Sequence, residues 1–148
     1  MQRLLEYVGH HYYLAGGAVL AAIALLLYEV RARAQSFAAL STAQAVRLMN
    51  QGALVIDLRE RSAFEAGHIG DARSVPAAQL ESEAQSLKKW KAKPVIAYDE
   101  GGLKGAAAVR TLKGLGFTEV FNLEGGLNAW VKENLPLSKG TGGKGSGK

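Results

Sequence analysis

The stretch Pro94 to Leu115, PVIAYDEGGLKGAAAVRTLKGL, limits the fold of this chain more than any other because it sets three features in a fixed order. Val95-Ile96-Ala97-Tyr98 is a short apolar run of the kind that forms a strand covered on both faces. Asp99-Glu100-Gly101-Gly102-Leu103-Lys104 follows as a tight glycine loop, and Ala106, Val109, Leu112 and Leu115 then recur at helical spacing. A loop closing onto a helix start turns successive backbone N–H groups toward one point, where they and the helix dipole favour an anion. At the carboxyl end of a parallel strand, that point is the usual place for chemistry.

Strand and helix signals alternate through the rest of the chain. Ser36 to Leu40 predicts a short first strand, and Ser41 is an N-cap for a helix over Thr42 to Asn50 that Gly52 stops. Ala53 to Leu58 predicts a buried strand ending in Asp57-Leu58-Arg59, and Ala72 to Val75 another. Leu80, Ala84, Leu87 and Trp90 form one face of a helix predicted over Gln79 to Trp90. Gly116 to Leu123 supplies a further strand, and Glu124-Gly125-Gly126-Leu127-Asn128-Ala129-Trp130 opens a closing helix in which Trp130 is a core anchor. This repetition predicts an α/β fold with a parallel sheet flanked by helices.

Charge excludes one class of partner. The chain carries a formal +5, yet Gln35 to Asn134 holds twelve Lys/Arg against eleven Asp/Glu, so the excess lies in the termini. A nucleic-acid reader needs a basic face on its domain, and this near-neutral region offers little material for one. Lys88, Lys89, Lys91 and Lys93 do cluster before Pro94, which suits either a solvated helix C-terminus or a contact with anionic lipid. The absence of cysteine excludes disulfides, thiolate metal sites and lipid attachment through sulfur.

Residues Tyr12 to Tyr28, YYLAGGAVLAAIALLLY, carry no charge, and at about 1.5 Å per residue they nearly cross a hydrocarbon core of roughly 30 Å. Tyr7, Tyr12, Tyr13 and Tyr28 lie at or beside the ends, where amphipathic rings prefer the headgroup layer. These features predict an uncleaved single-pass anchor in residues 1–34, with the span at about 12–30. A secretory signal peptide ending near Ala32-Arg33-Ala34 and a buried core helix compete with it. Arg31 and Arg33 follow the span, while Arg3 and the amino terminus precede it. That bias sets the N-terminus outside and the domain in the cytoplasm. Gly17 with Ala21, and Ala18 with Ala22, are small-xxx-small pairs that permit a homodimer through the helix. His10 and His11 are read as interfacial polar residues, since no third ligand is near, and no metal or cofactor is expected.

The run DLRERSAFEAGHIGDARSVP, Asp57 to Pro76, is the second recurring stretch: an Asp and Arg at a strand end, a short helix with an aromatic, then Gly67-His68-Ile69 and a closing proline. Together with the central loop and the closing pattern through Gly125, Gly126 and Trp130, it resembles the rhodanese-like domains over about Phe37 to Pro136. The domain is set at 36–137. The resemblance implies a rhodanese-like sheet, structural roles for Asp57, Arg59, Gly67, His68, Gly125, Gly126 and Trp130, and a satisfied turn histidine at His68. Gly70-Asp71 departs from the proline-glycine usual in the family. From Ser138 the tail SKGTGGKGSGK has nothing to bury, which predicts disorder over 138–148.

In those domains the central loop begins with a cysteine that becomes a thiolate and carries a sulfane sulfur. Here Asp99 stands in that place, ionised at neutral pH and a far poorer sulfur nucleophile. Lys104 falls where the family often has a basic residue, and Gly105 where a hydroxyl is common. No catalytic residue is therefore assigned, and Asp99, Glu100, Gly101, Gly102, Leu103 and Lys104 form a degenerate binding loop. Three functions remain. The first is a non-enzymatic module tethered to the cytoplasmic face of a bacterial inner membrane that binds another membrane or membrane-associated protein, as the resemblance to single-pass members of the family with Asp at the loop start implies. The second is a sulfurtransferase or sulfur-relay component borrowing a partner's cysteine. The third is a hydrolase using Asp99 through an acyl-phosphate, chemistry that normally recruits a metal and further carboxylates.

Overall fold

The computed structural model of the chain describes residues 12–36 and 38–141. Contacts divide it into two units, Met1–Phe37 and Ala38–Lys148. His10, His11 and most of the glycine-lysine tail lie outside the described residues.

Among the described residues the first unit holds one helix, α1 (Tyr12–Ser36), whose apolar side chains Leu14, Leu20, Leu25, Leu26 and Leu27 are exposed. Among the described residues no helix is long and apolar enough to cross a membrane, so the transmembrane helix expected over 12–30 is not met by the described residues.

The second unit is built on a parallel five-stranded sheet of β1 (Ala39–Leu40), β2 (Leu54–Asp57), β4 (Arg73–Ser74), β5 (Val95–Tyr98) and β6 (Val120–Leu123), in the order β1-β6-β5-β2-β4. β5 is the central strand and buried at every position, as its apolar run predicts. Side chains alternate between two cores. Leu54, Ile56, Val95, Ala97 and Val120 pack with Leu80, Leu87, Val109 and Leu112 on one face. Val55, Ile96, Tyr98 and Leu123 pack with Ala45, Phe64, Leu127 and Trp130 on the other. Helices α2 (Thr42–Asn50), α3 (Arg61–Ala66), α4 (Leu80–Glu83), α5 (Leu103–Gly114) and α6 (Gly126–Lys132) supply these layers. Ser41 caps α2 in a capping box: its hydroxyl accepts from the Gln44 N–H while the Gln44 carboxamide accepts from its backbone.

Four sequence expectations are corrected. The helix predicted over Gln79 to Trp90 is broken into a 3-10 turn at Ala77–Gln79, the single turn of α4, and a second 3-10 turn at Lys88–Trp90. Ser82 and Ser86 give the reason, since their hydroxyls bond back to the Gln79 and Glu83 carbonyls at 2.9 and 2.7 Å and compete with the helical ladder. The strand from Ser36 contracts to Ala39–Leu40 and that over Ala72 to Val75 to Arg73–Ser74. The tail does not begin at Ser138. Leu137–Ser138 forms β7, antiparallel to β3 (His68–Ile69), and Gly140 N–H donates to the Glu65 carbonyl. Between β3 and β4, Asp71 takes the left-handed conformation at φ 57°, which an aspartate tolerates better than most side chains.

Candidate functional site

The loop Asp99–Gly102 leaves the carboxyl end of β5 and runs into α5. Its shape is set by a second loop, Glu124–Gly125, at the carboxyl end of the neighbouring β6. The first free N–H groups of α6 are spent on it: Leu127 donates to the Asp99 carbonyl at 2.9 Å and Asn128 to the Glu100 carbonyl at 3.0 Å. The approach is close enough to require glycine. At Gly126, with φ 56°, a Cβ would overlap the Asp99 carbonyl oxygen and stand 2.8 Å from Gly102 N and 2.9 Å from Glu100 C. Gly102 itself sits at φ 85°, where a Cβ would come within 2.9 Å of Gly125 N.

The Asp99 side chain is only 6% exposed and turns inward. Its Oδ2 accepts the backbone N–H of Lys104 at 3.2 Å, so the carboxylate caps the α5 N-terminus from within the chain. Its Oδ1 is buried without a hydrogen-bond partner among the described residues. The side chain of Lys104 makes no ion pair among the described residues; its backbone, not its ammonium, meets Asp99. Glu100 points out of the loop and reaches Arg59 Nη1 at 3.2 Å. Leu103 is 87% exposed on the first turn of α5.

Beneath the loop lies a buried charge network. Asp57, fully buried at the end of β2, accepts from Arg59 at both carboxylate oxygens, with Nη2 at 2.7 Å and Nε at 3.0 Å. Arg59 also donates to the Gly67 carbonyl at 2.7 Å and so fixes the α3–β3 turn. Burial alone would lower the guanidinium pKa, but the hydrogen bonds to and the charge of Asp57 more than offset it and hold it above its usual value. Tyr98 Oη donates to Asp57 Oδ2 at 2.6 Å and accepts the Ile69 N–H at 3.1 Å. Burial, and then the Asp57 charge, push this phenol far above its ordinary range.

The structure thus brings Asp57, Arg59, Gly67, Gly125 and Gly126 around Asp99–Lys104. His68 and Trp130 have other surroundings. His68 is buried, with Nδ1 2.9 Å from the Phe64 carbonyl and its ring stacked on Phe64 at 3.8 Å. Trp130 donates its Nε1–H to the Pro136 carbonyl at 3.0 Å and lines a cavity of about 260 Å³ with Val46, Met49, Leu135 and Pro136. Sequence reasoning missed two loop-shaping residues, Tyr98 and Asn122. Asn122 Nδ2 donates to the Gly102 carbonyl at 3.0 Å, and its Oδ1 lies where a Cβ on Gly105 would stand. A polar residue near the end of an otherwise apolar strand was the available signal in both cases. Among the described residues no group of three His, Asp or Glu side chains could hold a metal ion.

Residues 41–133 match the profile of the rhodanese-like domain family. The chain is 33% identical over 142 residues to Escherichia coli (strain K12) "Uncharacterized protein YibN", covering 95% of this chain and 99% of that one. Among solved structures it is similar to a thiosulfate sulfurtransferase from Pseudomonas aeruginosa (TM-score 0.63, 25% identity, 70% of this chain, 20% of that chain). It is also similar to the human single-domain sulfurtransferase TSTD1 (TM-score 0.56, 25% identity, 65% and 96%).

Proposed function

Because this chain belongs to the rhodanese-like domain family, which is related to sulfurtransferases, we propose that it is a non-catalytic member that binds another protein while tethered to a membrane. The observation that carries this function is at Asp99. Where a sulfur-carrying side chain would meet the amides of the α5 N-terminus, the chain's own carboxylate already accepts one of them. A carboxylate there repels thiosulfate or phosphate arriving from solution, and with no cysteine in the chain nothing else can hold a sulfane sulfur. What the loop offers instead is an outward surface of Glu100, Gly101 and the exposed Leu103, a mixture of charge and apolar area suited to a protein partner.

Tethering is supported by α1. Its leucines are exposed along the helix, and leaving such side chains in water forgoes roughly 1.5–3 kcal/mol each, so lipid or another apolar helix covers them. In this proposal the helix is a single-pass anchor in a bacterial inner membrane with the domain cytoplasmic. The partner is a membrane or membrane-associated protein, and self-association through the Gly17 and Ala21 face is compatible with it.

The test is a thiosulfate and cyanide assay on the purified full chain, with carbonate extraction of native membranes and crosslinking before mass spectrometry. No thiocyanate, retention in the membrane and a reproducible crosslinked protein are the expected results. Turnover by the lone chain sinks the non-catalytic role, and release by carbonate sinks the anchor.

A further inference from the structure

The strand register carries an inference about the opposite edge of the sheet. All five strands are parallel, and Ala39, Asn122 and Ala97 lie level across β1, β6 and β5. The chain therefore runs from the first unit into β1 at the amino-terminal edge of the sheet, the edge at which β5 begins. The loop at Asp99 leaves the other edge, about 13 Å away along four residues of strand.

The lysine cluster lies on the first of these edges. Lys91 is pinned there, its carbonyl accepting from the Thr118 backbone and hydroxyl at 3.1 Å just before β6, and Pro94 O accepts from Leu54 N as β2 begins. Lys89 and Lys93 lie over the Trp90 ring at 5.6 and 5.1 Å, and Lys91 over Phe117 at 5.8 Å. None of Lys88, Lys89, Lys91 and Lys93 is in an ion pair among the described residues. The Glu119 carbonyl accepts from Val95 N on the same edge. Three ammonium groups over two aromatic rings, with Lys88 next to them in sequence and no ion pair to any of the four among the described residues, match a surface that is anionic outside and apolar within.

We propose that this lysine edge rests on anionic lipid headgroups. The proposal rests on α1 being the anchor and adds a second lipid contact to it. Each lysine near such a surface strengthens attachment by about fivefold, and salt screens the effect.

The full chain is reconstituted in nanodiscs of phosphatidylcholine alone or with about a third phosphatidylglycerol, and amine acetylation is followed at each lysine by mass spectrometry. In the anionic discs, acetylation at Lys88, Lys89, Lys91 and Lys93 is expected to slow by about fivefold or more and to recover in high salt, with Lys104 as the unaffected control. Equal rates in both discs, with the chain retained, overturn the contact and leave the anchor standing. A chain that does not stay in either disc removes the anchor and this contact with it. Equal protection by polyglutamate or a DNA duplex added to neutral discs also overturns the commitment to lipid.

Discussion

The Tyr98 hydroxyl donates a 2.6 Å hydrogen bond to Asp57 Oδ2 across two parallel strands in which residues 57 and 98 are register partners. Parallel pairing sets these side chains on the same face at the carboxyl ends of β2 and β5, so the phenol reaches the carboxylate while its own oxygen takes the Ile69 N–H. One hydroxyl thereby ties the central sheet to β3 directly under the Asp99 loop.

Tyr98→Phe removes the hydroxyl and leaves the buried Ile69 N–H without its acceptor, for an expected loss of about 1–3 kcal/mol in urea denaturation. The pH dependence has a definite sign. The folded pKa of Tyr98 is raised above the unfolded value near 10, so its contribution is whole below that pH. Above it the unfolded chain loses a proton that the native state keeps, and stability falls by about 1.4 kcal/mol per pH unit. Tyr98→Phe should lack this fall, and parallel slopes for the two proteins above pH 10 would contradict it.

The two glycine loops should respond oppositely to a methyl group. Gly126→Ala drives a Cβ into the backbone of Asp99, Glu100 and Gly102 at positive φ, and is expected to cost more than about 3 kcal/mol or to prevent folding. Gly101→Ala meets nothing within 4 Å and should stay within about 0.5 kcal/mol of the parent by thermal denaturation.

Gly105 and Asn122 should be coupled. A Cβ at residue 105 displaces the Asn122 carboxamide and breaks its bond to the Gly102 carbonyl, so Gly105→Ala is predicted to lose about 1–3 kcal/mol. In an Asn122→Ala background most of that loss should vanish. Additive losses in the double-mutant cycle would show that the two positions act separately.

Asp99→Cys tests whether the loop still gathers its amides on one point. A thiolate there attacks the sulfane sulfur of thiosulfate, forming a persulfide and releasing sulfite. A mass gain of one sulfur atom, reversed by cyanide, is the expected outcome, while the parent chain gains none. Failure of the folded variant to gain sulfur would mean that the loop geometry, as well as the nucleophile, differs from that of an active family member.

Local patterns were legible wherever one short stretch determined the outcome. Ser41 was legible as an N-cap because the amide its hydroxyl satisfies lies only three residues on, within the same turn. The apolar run 95–98 became the central strand because such a run can be satisfied only with both faces covered. The stretch 79–90 was misread because its apolar spacing was helical while Ser82 and Ser86 offered the carbonyls other partners. Ser138 was assigned to a tail because its pairing with β3 spans seventy residues of sequence, as the register His68 to Ser138 records.

By itself the sequence determined that the chain is a parallel α/β domain, that its motifs resemble the rhodanese-like family and that it contains no cysteine, since those properties follow from composition, local order and motif. Tertiary structure alone decided what the loop residues do with one another. The Asp99 carboxylate meets the Lys104 amide and Glu100 turns to Arg59. Gly126 is glycine because two loops from adjacent strands touch there. Such contacts depend on which strands become neighbours and in what register, and side-chain chemistry read along one chain does not contain that distance.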